Sequence, residues 1–470
     1  MSADKLIYGV AALGRPTFDV PFAEEKLAEA FAALDAAGIQ TVGPREMLYD
    51  ADAATAAIET IKAAGAIDAL LIIQVTFTDA TMTVELARGA TAPVAIWAIP
   101  EPRLGGRLRL NAFCGLNLAA HALGKADIAH GSLFADPASP GLTEDLRALA
   151  RAYAATPSRA ARAAPPSAAE AAAAHAIDRI SGAGITVIGD HPAGFDTCTY
   201  DGGELNALAG IGVNALPIEA LFDKAKSVEP SRVDAIRETV QADLTGLDAL
   251  DQEQLDRSFR VFAALEAVRD ETDAKGLAVR CWPETFTEYG CAACGPMAMM
   301  NERRTPSACE ADVYGSFSTL LLQELAGEAV WMADLVDIDF DDDTAVFWHC
   351  GLAPLSMCDP EATPEATIHT NRKMPLLHQF PLKPGPITLA RLSRARNETK
   401  LVVGRADVRR APMAFTGTSG VVSFAAPARE VFDTILAEGL EHHYSVAYGD
   451  HVDAVRAVAA RLDLPVLELC

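Results

Sequence analysis

The sequence predicts an α/β protein in three parts: two parallel-sheet α/β domains followed by a mainly β C-terminal domain. Three observations lead there. Apolar runs alternate with helical patterns through the first hundred residues. An alanine-rich stretch at 154–174, containing Pro157, Pro165 and Pro166, breaks that rhythm before a strand pattern restarts it at 184–189. After about Gly351 the chain turns to short β-rich segments with turn residues. A strand–helix–strand alternation covers a parallel sheet with helices, so the first two parts read as Rossmann-like. At 470 residues the chain is too long for one ordinary core, and the expected domains are 1–165, 166–352 and 353–470.

The elements follow in order. In the first domain, strands are expected at 6–13, 69–77 and 93–100 and helices at 22–37 and 53–64. In the second, Asp251 and Gln254 form a capping-box-like start to a helix, and Leu255, Phe259, Phe262, Leu265 and Val268 fall on one face of it, as core residues. A helix at 314–326 stops at Gly327 and leads into the apolar run 329–335, a buried strand. In the third, Pro384, Gly385, Gly417, Thr418 and Gly420 punctuate short strands. A helix at 427–438 stopped by Gly439, a strand at 442–448 and a last strand at 465–469 close the chain.

Composition narrows the function. With 64 acidic against 39 basic residues, the net charge of −25 repels a phosphate backbone, so nucleic acid is an improbable partner. No apolar stretch approaches a membrane span, and the first ten residues lack a signal-peptide pattern, so a soluble cytoplasmic protein is expected. Nine scattered cysteines suit reduced thiols. Cys291 and Cys294 lack a second correctly spaced pair, which makes buried thiols a better reading than zinc.

Ionisable residues in apolar surroundings are costly unless paired or metal-bound, so they mark where chemistry is expected. Asp334 is one, inside Ala329-Val-Trp-Met-Ala-Asp-Leu335. Val336, Ile338 and Phe340 then alternate with Asp337, Asp339 and Asp341 before Ala345-Val-Phe-Trp-His-Cys350, which reads as an antiparallel hairpin. With Asp341 and Asp342 as the turn, Asp334 faces His349, their Cβ atoms about 5 Å apart. Glu310, just before the 314–326 helix, is expected at the same end of the sheet. Two carboxylates and an imidazole suit Mn²⁺, Co²⁺ or Mg²⁺ better than thiolate-preferring ions. Asp312, Asp337 and Asp339 read as solvated charges. Arg280, Trp282 and Glu284 could lie at a ligand-facing edge or form a core ion pair, and Asn111 and Asn117 read as turn or cap residues.

Ala308-Cys-Glu-Ala-Asp-Val-Tyr-Gly315 and Trp331-Met-Ala-Asp334 resemble the L-fucose isomerase family, whose two metal-binding carboxylates are likewise twenty-four positions apart. Pro384-Gly-Pro-Ile-Thr-Leu-Ala-Arg391 and Phe415-Thr-Gly-Thr418 resemble its C-terminal domain, and Glu441-His-His-Tyr444 is similar to the double-histidine strand of L-arabinose isomerase. Residues 97–106 and Asn111-Ala-Phe-Cys-Gly-Leu-Asn117 resemble, more loosely, the N-terminal domain of fucose-isomerase-like proteins. The resemblance implies Glu310, Asp334 and His443 as Mn²⁺ ligands, with His349 in an additional position and His442 as the alternative to His443. It also implies Glu310 and Asp334 as acid–base groups, and a homo-oligomer, trimer or hexamer, whose sites borrow from a neighbour's N-terminal domain. The expected activity is aldose–ketose isomerisation of a pentose, 6-deoxyhexose or modified sugar through an enediol(ate). A metal-dependent epimerase or lyase, or a non-catalytic sugar-binding protein, is the alternative.

Overall fold

A computed structural model describes residues 6–470 apart from Ala155, Pro157, Ala163 and Pro165, so residues 1–5 of the expected signal-free start and two prolines of the expected linker lie outside it. The first sheet is parallel. Ile7–Leu13, Ala69–Gln74, Val94–Ala98 and His130–Phe134 lie side by side, with Gln40–Val42 and Met47–Leu48 on the outer edge of Ile7–Leu13. Its central strands are buried on both faces because helices Val20–Ala36, Ala51–Ala63 and Ala112–Lys125 cover them. The expected elements of this region recur within a few residues of their predicted ends.

The second sheet is also parallel, in the order Ser307–Ala308, Ala274–Val279, Gly184–Ile188, Gly212–Leu216. Asp251 caps helix Gln252–Thr272 by accepting the Gln254 N–H at 2.9 Å, and the five predicted core residues of that helix are fully buried. Helix Val313–Ala326 ends at Gly327, whose φ of 71° suits a residue without a Cβ.

The third sheet has nine strands, six of which close on themselves. Thr418–Phe424, Thr344–His349, Trp331–Asp339, His443–Tyr448, Gly385–Ser393 and Lys400–Arg409 pair antiparallel in that order, and Lys400–Arg409 returns to Thr418–Phe424 through Val408 opposite Val422. The hairpin carrying Asp334 and His349 belongs to this barrel, so sheet membership changes near residue 330. Closure removes open edges and fixes which residues face each other across neighbouring strands.

The hairpin register departs from expectation at one place. Asp339 opposes Thr344, Ile338 opposes Ala345 and Asp337 opposes Val346, as predicted. An irregularity at Val336 then shifts the pairing by one residue, and Asp334 opposes Trp348, not His349. A bulge adds one unpaired residue and re-aims the strand beyond it. On its other edge Asp334 lies opposite His443. Among the described residues no helix is long and apolar enough to cross a membrane.

Candidate active site

Three chain segments converge where the second sheet meets the barrel. The first is the turn after Ser307–Ala308, where Glu310 and Ala311 both take the left-handed conformation (φ 59° and 56°) before Asp312 caps the next helix through the Gly315 N–H at 2.8 Å. Two consecutive non-glycine residues with positive φ are strained, and surrounding structure must hold them. The second is the hairpin with Asp334 and His349. The third is the start of His443–Tyr448, with His442 just before it.

Glu310 and Asp334 are each 8 % exposed, and His349, His442 and His443 are almost fully buried. His443 Nε2 lies 3.2 Å from Asp334 Oδ1 and 3.7 Å from Glu310 Oε2, while its Nδ1 lies 2.9 Å from Asp312 Oδ2. His442 Nε2 is 3.2 Å from Glu310 Oε2, and Trp282 Nε1–H donates to Glu310 Oε1 at 3.1 Å. His442 precedes the strand that begins at His443; their rings lie 3.9 Å apart, and both approach Glu310.

Asp312 and Asp337 correct the sequence reading: neither is a solvated charge. Asp312 is 1 % exposed and pairs with the equally buried Arg391, whose Nη1 donates to Asp312 Oδ2 at 2.7 Å. Asp337 is buried against Arg103, whose Nε donates to it at 2.6 Å. Asp339 accepts the N–H groups of Asp341 and Asp342 and shapes the hairpin turn. Arg280 and Glu284 form the bidentate ion pair that was one of their two expected readings, whereas Trp282 alone of the three lines the site.

Burial is the largest influence on Glu310, Asp312, Asp334, His349 and His443. It pushes Glu310 up, yet the hydrogen bond and charge of His442, with the charge of His443, hold its carboxyl below the ordinary range. Burial likewise raises Asp334, but His349, His443 and His442 bring it down to about 2. Asp312 is held well below the usual carboxylate range against its burial by Arg391 and His443. Burial lowers His443, but hydrogen bonds to Asp312 and Asp334 leave it well above its ordinary value. Burial leaves His349 lowered and therefore neutral at pH 7.

These protonation preferences test whether the set fits a cation. With Asp312 taking the proton on His443 Nδ1, the His443 Nε2 lone pair faces the carboxylates of Glu310 and Asp334; among the described residues, two sets have ligand atoms within 4.8 Å of one another, Cys198, Glu310 and His443, and Asp334, His442 and His443, with His443 common to both. Apart from His443 Nε2 at 3.2 Å, Asp334 Oδ1 has no polar partner among the described residues. Buried acceptors facing one another need a proton or a cation between them, and the raised His443 favours a proton there when no cation is bound. The donor set of two carboxylates and one imidazole fits a hard-to-borderline divalent ion. Cys198, which the sequence did not single out, lies 4.0 Å from Glu310 Oε2; burial pushes its thiol up to about 12, so it stays neutral beside the carboxylate.

The site opens into a solvent-connected cleft whose empty space, open solvent included, is about 770 Å³. Residues of the chain's own N-terminal region line it, including Arg15, Phe77 and Asn111. Asn111 sits at the start of Ala112–Lys125 in the left-handed conformation (φ 50°) without capping the helix, and its side chain lines the cavity. Within one chain, this segment therefore reaches the site. Arg372, Asn371 and His369 complete the wall; the sequence reading passed over them because they sit in a loop without apolar patterning.

Comparison with known proteins agrees with this architecture. The profile of the fucose/sulfoquinovose isomerase N-terminal domain matches residues 9–156, and that of the L-fucose isomerase C-terminal domain matches 349–469. A sulfoquinovose isomerase of Alkalicoccus urumqiensis is 28 % identical over 427 residues, 91 % of each chain. Sulfoquinovose isomerases of Priestia megaterium and a Clostridium species are 27 % and 28 % identical over 96 % of each chain. The two matched profiles cover both ends of the chain, and the relatives span its middle, where Glu310 and Asp334 lie. The chain belongs to the fucose-isomerase-like family and is a sugar isomerase.

Proposed function

We propose that the protein is a divalent-metal-dependent aldose–ketose isomerase that acts on a hexose carrying a sulfonate at C6, the type of sugar its relatives are named for. The observation that carries the reading is that Glu310 and Asp334 line one cavity while the buried His443 behind them brings Nε2 to 3.7 Å and 3.2 Å from their oxygens. These three residues would hold the ion, Mn²⁺ in the first place and Co²⁺ or Mg²⁺ as alternatives. When bound, it supplies Lewis-acid stabilisation of the charge that develops on the two oxygens of an enediol(ate).

The protein's own groups account for the rest. Asp312 fixes the His443 ring so that Nε2 faces the carboxylates, a carboxylate–histidine arrangement that orients a ligand and raises its basicity. His442 donates Nε2–H to Glu310 and so positions that carboxylate. His349 Nδ1 accepts the Cys350 N–H at 2.9 Å, which leaves Nε2–H as a buried donor without a partner. We therefore assign His349 to a substrate oxygen in preference to the ion. Glu310 and Asp334 together remove and return the proton that moves between C1 and C2, in surroundings that exclude bulk water. Nine free thiols fit a reducing compartment, and we place the protein in the cytoplasm.

Incubating the purified protein with sulfoquinovose and Mn²⁺ should yield the corresponding ketose, and chelation should stop it. Full-rate conversion by protein shown to be free of divalent metal would contradict the reading.

The raised His443 adds a linked prediction. In the protein alone, an imidazolium above its ordinary value contributes stability that is fully present below about pH 6.5 and is lost as pH rises through the raised value. Binding a cation needs Nε2 unprotonated, so Mn²⁺ should release about one proton and bind more tightly as pH rises. Calorimetric titration in buffers of different protonation enthalpy measures this. Zero proton release at neutral pH would remove His443 from the ligand set.

We also propose a homo-oligomer, trimer or hexamer, on the family resemblance. Sedimentation at assay concentration should show it, and a fully active monomer would exclude it.

A further inference from the structure

One wall of the cavity carries positive charge with no counterpart. Arg372 is half-buried, and among the described residues its guanidinium has neither a carboxylate partner nor a hydrogen bond. It lies 5.7 Å from the Trp282 ring centre and 5.6 Å from that of Phe286. Arg15 lies 5.2 Å from the same Trp282 ring, and its charge, after burial, is the next influence lowering the Arg372 guanidinium. Arg15 is partly neutralised by Asp79 at 2.9 Å. Placing an unpaired cation beside another cation, out of bulk water, is unfavourable unless a ligand completes it.

The turn that presents Arg372 is tied down. His369 Nδ1 accepts the backbone N–H groups of Asn371 and Arg372, and Arg107 donates to Asn371 Oδ1 at 2.9 Å. Trp282 links the two ends of the cavity: its indole N–H holds Glu310, and its ring carries both guanidinium groups. A sugar with its reacting carbons at Glu310 and Asp334 would therefore run along the indole toward the arginines. An arginine presents a planar fork of donors matched to the oxygens of a sulfonate, phosphate or carboxylate. In a chain of net charge −25, a local pair of guanidinium groups is also what allows an anionic substrate to approach.

We propose that Arg372, assisted by Arg15, binds an anionic group at C6 of the sugar and sets the preference for a sulfonated substrate. The inference rests on the proposed placement of C1 and C2 at the carboxylates. The test compares sulfoquinovose with 6-deoxyglucose, which differs only in lacking the sulfonate, for the wild-type protein, Arg372→Gln and Arg372→Lys. Wild type should favour the sulfonated sugar. Arg372→Gln should reduce the ratio of the two kcat/KM values by roughly 10- to 100-fold, the range for losing hydrogen bonds to a charged group, mainly through KM for sulfoquinovose, and Arg372→Lys should restore part of it. An unchanged ratio would overturn the proposal. Calorimetric binding separates this inference from the reaction assignment. If wild type binds sulfoquinovose without converting it and Arg372→Gln weakens that binding, the anion site stands and the reaction falls. If glucose 6-phosphate binds in its place with the same sensitivity to Arg372→Gln, the site stands with a phosphate as its anion. If neither sugar binds, the anion site falls.

Discussion

Glu310→Gln and Asp334→Asn should each give a folded protein whose turnover has collapsed. Each change keeps the side chain's shape but removes a negative charge from a point where His443 and the other carboxylate already converge. Acid–base catalysis alone is worth about 10²- to 10⁴-fold, and weaker ion binding would add to the deficit. A purely structural ion pair predicts the reverse, a less stable protein that still turns over. Circular dichroism, ion affinity and kcat measured on the same preparations distinguish the two. Near-normal kcat in either variant at saturating Mn²⁺ and substrate would remove that residue from the acid–base pair.

Asp312→Ala should be the most damaging substitution to stability in this region, although Asp312 is not assigned to the reaction. The change leaves the buried Arg391 guanidinium with only one of its two carboxylates, Glu441 at 3.4 Å, and frees the His443 ring, since Arg391 and His443 both hydrogen-bond to Asp312. Removing one partner of a buried pair costs about 3–5 kcal/mol, and loss of a carboxylate behind a metal-binding histidine weakens ion affinity by about 10- to 100-fold. Asp312→Asn keeps a hydrogen-bonding side chain and should retain more stability than Asp312→Ala while still weakening the ion. Denaturant unfolding with and without Mn²⁺ checks both effects. Wild-type stability and affinity in Asp312→Ala would mean that the Asp312 contacts to Arg391 and His443 contribute little.

These two predictions show where sequence patterning sufficed and where it did not. Asp334 stood out because it breaks an apolar run, and Glu310 because it lies just before a helix and twenty-four positions ahead of Asp334, a family-like interval; local alternation correctly paired Ile338 with Ala345. Asp334 opposite His349 was not obtained, because a single extra residue at Val336 leaves no mark in the alternation of a strand buried on both faces. Barrel closure through Val408 and Val422 is equally silent, since it joins strands by a contact that local periodicity does not encode. Asp312 was misread for a related reason: its counter-ion, Arg391, lies 79 residues away, and a polar residue at a helix start resembles an ordinary cap until that partner is known. Arg372 gave no signal, as unpaired charges in loops are usually solvated.

Glu310, Asp334 and His443 should form one cation site at the base of the cavity. Anomalous diffraction at the manganese edge from crystals grown with Mn²⁺ tests it most directly. A strong peak bonded to oxygens of Glu310 and Asp334 and to Nε2 of His443 is expected, with His349 outside the ligand set. Absence of a peak there, or a peak held by other residues, would contradict it.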